Sequence, residues 1–299
     1  MLINGMNLPD VFLIGAQKAA TSSLAFYLES TAELRISNIK EPNFFVSGAL
    51  PYIDGSFRGY CKINLLGEYE KLYKNFQLTD KICDASTDYL YKYKEFYDSV
   101  FSLYQENIKN IKIFCVVRCP AERAFSSWKM FRRDGKEPLN FKEAVMESSS
   151  RIKNYNYNYD YVGYGQYYDA VKYLKEKGLN VYVINMDSLI NDKDNTLTRV
   201  SNFLGLEYVN IQSVTETQVN KSGNIKYPRI RNLLTSDTVF KRMFKAIVKK
   251  EHRMVIKNKL LNATISNQDI TEEDKAWYYN FVKGSEFEVE KTIKLNEYE

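Results

Sequence analysis

The stretch Val11–Ser30, VFLIGAQKAATSSLAFYLES, decides how the chain is read. Val11 to Gly15 is a run of apolar or small residues with the length of a buried strand. Ala16 to Ala20 reads as a turn, and Thr21-Ser22-Ser23-Leu24 opens an amphipathic helix. A strand, loop and helix in that order suit anion binding, because a helix N-terminus presents unpaired N–H groups and a partial positive charge. Lys18 adds a full charge at the turn, and the small residues Gly15, Ala16, Ala19 and Ala20 let a ligand approach the backbone. An ordinary strand-to-helix turn with an exposed lysine would look the same over this segment alone. A Walker A loop requires Gly-x4-Gly-Lys-[Ser/Thr], but counted from Gly15 the second glycine position holds Ala20 and the lysine position holds Thr21. The lysine comes three residues early, so the hydroxyl that would hold magnesium does not follow it. The loop is expected to hold phosphate without a metal.

Working outward, 299 residues fit one large α/β domain, and the 24 Tyr and 17 Phe point to a packed core rather than disorder. The start, MLINGMNLPD, lacks the basic and apolar pattern of a signal peptide, and no stretch has the length of a membrane span; a soluble, cytoplasmic protein is expected. Cys61, Cys83, Cys115 and Cys119 have no metal-ligand spacing, and His252 is the single histidine, so neither a zinc site nor a disulfide framework is expected. Net charge is +5, concentrated between Lys221 and Lys259, where twelve Lys or Arg face only Asp237 and Glu251. Such a run is either a solvated face or a footprint for an anionic partner. No nucleic-acid-binding pattern accompanies it, and nucleic acid is not expected as a partner.

Further along, Leu34–Ser37 reads as a short strand leading to Lys40-Glu41-Pro42-Asn43-Phe44-Phe45. Pro42 keeps Glu41 out of the right-handed helical region, on an extended or turning segment, where Glu41 is either a general base beside Lys40 or half of an exposed ion pair. Leu66–Phe76 is helical in pattern, and Lys81–Cys83 a strand before the polar turn Asp84-Ala85-Ser86-Thr87-Asp88-Tyr89-Leu90, which is a helix cap or a substrate-facing turn. Lys112–Val117, KIFCVV, is a second buried strand. It ends in Arg118, with Pro120 opening a helix that carries Arg123, Ser126 and Ser127. Arg118 and Ser126 can converge on one anion beyond the strand's carboxyl end. Tyr155–Tyr168 reads as an ordered loop, Gln166–Lys175 as a helix, Val181–Asn185 as a strand, and Asn195–Leu204 as a helix closed by Gly205. The tail is helical in pattern from Thr235, with Thr271-Glu272-Glu273 as a helix start and Trp277–Lys291 its body. Strands alternating with helices predict an α/β fold on a mainly parallel sheet.

These residues resemble those of a known family, the sulfotransferases that use 3′-phosphoadenosine 5′-phosphosulfate (PAPS), in particular the branch of the glycosaminoglycan N- and 3-O-sulfotransferases and many bacterial enzymes. Gly15 to Leu24 is similar to the family's 5′-phosphosulfate loop, with Ala20 where Lys-x-Gly-Thr has glycine. Lys40-Glu41-Pro42-Asn43-Phe44-Phe45 resembles the segment bearing the branch's catalytic carboxylate, and Arg118-x-Pro120-x-x-Arg123-Ala124-x-Ser126 its 3′-phosphate motif. Gly165, Tyr167, Leu174, Asp187-Ser188-Leu189, Phe203-Leu204-Gly205-Leu206 and Asn220-Lys221-Ser222-Gly223 are fainter likenesses, so the resemblance spans about residues 10–225. It implies a P-loop-like three-layer fold over one domain, 1–299, whose PAPS-binding core covers about 10–225 and whose basic, helical C-terminal part covers 226–299. The implied reaction is in-line sulfuryl transfer from PAPS to a hydroxyl or amine, with the carbohydrate acceptors of that branch as the expectation and 3′-phosphoadenosine 5′-phosphate (PAP) as product. The implied cofactor contacts are Gln17, Lys18, Ala19, Ala20, Thr21, Ser22, Ser23, Arg118, Ser126, Lys221, Ser222 and Gly223. Lys18 and Glu41 are the implied catalytic pair, and Lys40, Glu41, Asp84, Ser86 and Thr87 the implied acceptor contacts. Where the glycosaminoglycan enzymes carry a lysine near Asp84–Thr87, this chain has none. His252, in the basic tail, is badly placed to be the histidine base of the small-molecule branch. A degenerate P-loop kinase and a nucleotide- or polyanion-binding module are the rival readings.

Overall fold

The computed structural model describes residues 1–30, 34–37, 39–47, 63–154, 156–207 and 269–283, with the backbone of 224–225 and 265–266. A small hairpin, β1 (Leu2–Ile3) with β2 (Met6–Asn7), precedes β3 (Val11–Leu13), α1 (Thr21–Glu29) and β4 (Leu34–Ile36). Then come α2 (Leu66–Lys71), β5 (Lys81–Ala85), α3 (Asp88–Tyr91), α4 (Tyr93–Tyr104), β6 (Lys112–Val117) and α5 (Pro120–Arg133). They are followed by α6 (Phe141–Met146), α7 (Ser148–Lys153), α8 (Tyr167–Glu176), β7 (Asn180–Asn185), α9 (Met186–Asn191) and α10 (Lys193–Leu204). The described chain closes with the antiparallel pair β8 (Asn224–Ile225) and β9 (Ile265–Ser266), and with α11 (Glu272–Lys283).

Five strands form one parallel sheet in the order β4-β5-β3-β6-β7. The central strands are buried on both faces, which is why Val11–Leu13 and Lys112–Val117 read as apolar runs instead of alternating. From β3 the chain crosses toward β4, whereas from β6 it crosses toward β7, so the connections after these two neighbouring strands diverge. With right-handed crossovers, the two sets of helices lie on opposite faces, where α1 packs with α10 and α4 with α8. The divergence opens a crevice at the carboxyl ends of β3 and β6, the usual ligand position in such sheets.

Phe12 of β3 anchors the core, with edge-on contacts to Phe45, Phe96 and Tyr104 at 5.7, 5.6 and 6.1 Å. A second cluster joins α5 to α6 and α11 through Phe125, Trp128, Phe141, Tyr278 and Val282. Local chemistry explains the helix ends. Pro120 starts α5, with Glu122 in its first turn and Arg132 and Arg133 in its last, all complementing the helix dipole. Gly205, left-handed at φ 72°, closes α10. Thr271 Oγ1 accepts from the Asp274 amide at 3.1 Å and so starts α11.

Most expected elements stand within a residue or two of their sequence limits. The helix expected over Leu66–Phe76 ends at Lys71 and continues as turns, because Asn7 Nδ2 takes the Phe76 carbonyl at 3.1 Å and ties that segment to the hairpin. The strand expected to end at Cys83 runs to Ala85, carrying Asp84 into the sheet. Tyr155–Tyr168 holds two short 3-10 turns, Tyr157–Tyr159 and Gly163–Gly165. The helices expected from Thr235, the end of the Trp277–Lys291 body and most of the basic Lys221–Lys259 run lie outside the described residues.

Candidate active site

The crevice wall that follows β3 is the loop 14–20. The ladder with β6 continues into it, the Ile14 amide donating to Phe114 O at 3.0 Å and the Ala16 amide to Val116 O at 2.7 Å. Gly15 sits at φ +148°, and a Cβ there would come within 2.9 Å of Leu90 Cβ and 3.0 Å of Thr87 O, so the start of α3 leaves room for glycine alone. Lys18 and Ala20 adopt left-handed conformations at φ 71° and 61°, turning the loop back on itself before α1. The Ala19 amide is taken by Ala16 O at 3.2 Å and the Ser23 amide by Ala20 O at 3.0 Å. Both amides are thus spent on the loop's own shape, and Ala19 is fully buried. Among the described residues, no backbone carbonyl takes the amides of Ala20, Thr21 and Ser22, and α1 has no side-chain cap. Those amides keep the orphan donors of a helix start. The Gln17 Oε1 atom is buried with no hydrogen-bond partner among the described residues.

The opposite wall follows β6. Arg118 Nη1 lies 3.5 Å from Lys18 O, which joins two loops a hundred residues apart. Its Nε donates to Glu122 Oε2 at 3.2 Å, and Glu122 also pairs with Lys275 of α11 at 3.0 Å. Burial would raise the Glu122 carboxyl, but the bonds from Lys275 and Arg118 hold it below the ordinary carboxylate range. Ser126 faces inward on α5 at 6% exposure. Lys129 is buried three residues on; burial lowers its ammonium, Asp269 opposes that shift, and the Arg118 charge adds to it. Arg123 is fixed internally, its Nη2 donating to Tyr161 O at 2.7 Å.

The third wall carries the carboxylates. Glu41 is left-handed at φ 53°, as is Asn43 at φ 52°, so the residue before Pro42 turns where an extended segment was one alternative. Thr87 Oγ1 donates to Glu41 Oε2 at 3.2 Å, and the Asn43 amide donates to Ser86 Oγ at 3.1 Å. Together these bonds dock the turn on the β5–α3 connection. Lys40 Nζ donates to Ser22 Oγ at 3.0 Å and links the turn to the start of α1. Between them lies a cleft of about 290 Å³, lined by Thr21, Ser22, Lys40, Glu41 and Thr87 and by apolar groups of β3, α1, β4 and β5.

Two expected acceptor contacts are corrected. Asp84 is fully buried, and its carboxylate accepts from Ser86 Oγ and Tyr69 OH at 2.6 Å and from Tyr89 OH at 2.8 Å. Ser86 is itself spent on Asp84 and on the Asn43 amide. Neither faces the cleft, because β5 runs on through Asp84 and turns these side chains inward; Thr87 alone of the three lines it. Burial pushes the Asp84 carboxyl up to about 6, with the three hydroxyls pulling it back and the Glu41 charge adding to the rise. Asp88, in the same polar turn, is also turned inward and accepts from Asn43 Nδ2 and Tyr164 OH, each at 2.9 Å. Burial, then the Glu41 charge, push its carboxyl up to about 7. Lys221, Ser222 and Gly223 lie outside the described residues.

The loops after β3 and β6 and the Glu41 turn therefore bring Lys18, Arg118, Lys40, Thr21 and Ser22 near one another, with amide donors at the start of α1 and one carboxylate beside them. This donor set fits a ligand carrying several phosphate or sulfate charges. The family model described as the sulfotransferase domain matches residues 8–252. Among solved structures, the chain is similar to a sulfotransferase from Alicyclobacillus acidocaldarius, with a TM-score of 0.63 and 27% identity over 76% of this chain and 90% of that one. A mouse sulfotransferase complexed with PAP aligns with a TM-score of 0.49 and 17% identity over 98% of this chain and 89% of that one. No curated protein matches the chain.

Proposed function

The chain belongs to the sulfotransferase domain family, and from that premise we propose that it moves a sulfuryl group from PAPS to the hydroxyl or amine of an acceptor, releasing PAP. The observation that supports the reading is the 3.5 Å approach of Arg118 to Lys18 O, which joins the two loops to which we assign the anions. One loop suits the 5′ end of the donor and the other its 3′-phosphate. PAPS supplies an activated sulfuryl group at its 5′ end.

The chain's own groups do the rest. Lys18 and the amides of Ala20 to Ser22 meet the negative charge that grows on the 5′-phosphate side, as preorganised donors that need no reorganisation during the reaction. Gln17, Thr21 and Ser22 complete that wall, while Arg118, with Ser126 behind it, gives a forked and permanently charged grip on the 3′-phosphate. Lys221, Ser222 and Gly223 are further contacts by family likeness. Glu41, held by Thr87, takes the acceptor's proton. Lys40, tied to Ser22, links the acceptor turn to the donor loop, so occupation of one bears on the other.

Among the described residues no helix is long and apolar enough to cross a membrane, and Cys83, Cys115 and Cys119 are free thiols. Both fit a cytoplasmic setting. The carbohydrate expectation rests on the glycosaminoglycan branch and on a basic run outside the described residues. The experiment that tests the proposal is transfer from ³⁵S-labelled PAPS to an acceptor panel, with Glu41→Gln in parallel. Turnover should fall about a hundredfold or more in the variant while PAP affinity is kept. Lost PAP affinity in Glu41→Gln would give Glu41 a structural task instead.

A further inference from the structure

Three consecutive residues, where β5 passes into α3, hold the Glu41 turn. Ser86 Oγ accepts from the Asn43 amide, Thr87 Oγ1 donates to Glu41, and Asp88 Oδ2 accepts from Asn43 Nδ2 at 2.9 Å. The turn itself has an unusual backbone, with Glu41 and Asn43 left-handed on either side of Pro42 at φ 53° and 52°. A residue with a Cβ keeps that conformation where its surroundings fix it, so the Glu41 side chain is aimed by what docks the turn.

Of the three, Asp88 is the costly one. It is 1% exposed, and its hydrogen-bond partners, Asn43 and Tyr164, are neutral. Tyr164 stacks on Tyr91 at 3.9 Å, Tyr91 OH donates to Asp160 at 2.8 Å, and the Arg123 guanidinium lies 5.7 Å from the centre of the Tyr164 ring. Burial, then the neighbouring carboxylates, push both phenols up, so they stay protonated and donate. The ionisable groups around Asp88 are thus Glu41 from the turn and Tyr164 and Tyr91 from the other side, with Asp160 and Arg123 behind the two rings. An asparagine would serve the same contacts without a buried acid, since the Tyr164 hydroxyl can turn to accept. What asparagine lacks is charge. After burial, the Glu41 charge is the largest influence raising the Asp88 carboxyl, to about 7. Such an interaction is mutual: an ionised Asp88 makes the Glu41 carboxylate hold a proton more tightly and so act as a stronger base.

We propose that Asp88 is the positioning residue of the Glu41 base: through Asn43 it fixes the turn that aims the carboxylate, and through its own charge it sets how strongly that carboxylate takes the acceptor's proton. This rests on the sulfotransferase reading above. Asp88 is buried and acts through Glu41 and Asn43 alone; the proton itself passes from the acceptor to Glu41.

The test uses the full chain, with PAP binding by calorimetry and transfer from ³⁵S-labelled PAPS to whichever member of the acceptor panel is labelled fastest. Asp88→Asn keeps the shape and removes the charge, whereas Asp88→Ala removes the Asn43 contact as well. In the wild type, kcat should rise at low pH as Glu41 ionises, then rise again by about two- to fivefold near pH 7 as Asp88 ionises and strengthens the base. Asp88→Asn should keep the first rise and lose the second. Asp88→Ala should lose about tenfold or more in kcat at every pH with PAP affinity unchanged; should it fail to fold, Asp88→Asn decides alone. A ¹³C NMR titration reads the same link without an acceptor. The Glu41 carboxyl signal, assigned by its loss in Glu41→Gln, should move again near pH 7 in the wild type and stay still there in Asp88→Asn. If the pH profile and the Glu41 titration are the same in wild type and Asp88→Asn, the role of Asp88 is overturned while the sulfotransferase reading stands. If PAP does not bind and nothing is labelled, that reading fails and the role of Asp88 falls with it.

Discussion

The two sides of the crevice are built in opposite ways. On the proposed donor side, each part lies on the segment directly after a strand: Gln17 to Ser22 follow β3 and Arg118 follows β6. On the proposed acceptor side, the contacts that hold the Glu41 turn and Asp88 are long in sequence. Thr87 reaches Glu41, Ser86 reaches Asn43, and Tyr164 reaches Asp88 across 46, 43 and 76 residues. The donor side is polar and cationic, while the acceptor side pairs an apolar cleft with carboxylates. A charged nucleotide with fixed geometry needs donors at strand and helix ends, which local chemistry supplies. An acceptor pocket needs shape, which comes only from packing distant segments together.

That contrast can be broken at several points. The largest effect is expected from Lys18→Ala on the donor side, a loss of about 10²–10³ in kcat measured with saturating PAPS, since a preorganised donor to developing charge is removed. The unfolding midpoint should hardly move, because Lys18 is not part of the buried core; near-normal turnover would remove Lys18 from the mechanism. Next, Arg118→Ala should weaken PAP binding about 10- to 100-fold in calorimetry, the range of a charge-assisted hydrogen bond. Arg118→Lys should restore only part of it, because the forked geometry is lost.

On the acceptor side the expected signature is stability against pH. The Asp88 carboxyl is raised from the usual carboxylate range to about 7. The folded state therefore favours its protonated form. This contribution is whole below the unfolded value and is lost as pH rises through the folded one. The wild-type unfolding midpoint should thus fall between about pH 4 and about pH 7 relative to that of Asp88→Asn, in which the titration is gone. Parallel curves for the two proteins would show that Asp88 does not carry this cost. The smallest effect belongs to Lys275→Ala. Its contact with Glu122 is partly solvated and reaches Arg118 only at second hand, so PAP affinity should change by less than about fivefold.

The same contrast explains what was legible in the chain. The buried strands, the loop after β3 and the Arg118 segment could be read because each is a local pattern: an apolar run, a helix start, a proline at the first helical position. Asp84 and Asp88 could not be sorted from Thr87 in the same polar turn, since an acid caged by Tyr69 and Tyr89 looks in sequence like one aimed at a substrate. Lys129 and the Lys275–Glu122 link depend on how α5 and α11 pack, for which no local signal exists. The cleft face of α1 did leave a trace, the helical spacing of Thr21, Ser22, Ala25, Phe26 and Glu29, but only β4 and the Glu41 turn across from it make it a wall.

The central claim is that these two loops hold one donor with phosphates at both ends. Thermal unfolding with PAP, set against ATP with magnesium, tests it most directly. At about 100 times its Kd, PAP should stabilise the wild type by about 2.7 kcal/mol, and ATP with magnesium should do far less. The PAP effect should shrink in Arg118→Ala. Stabilisation by ATP with magnesium and none by PAP would contradict the account.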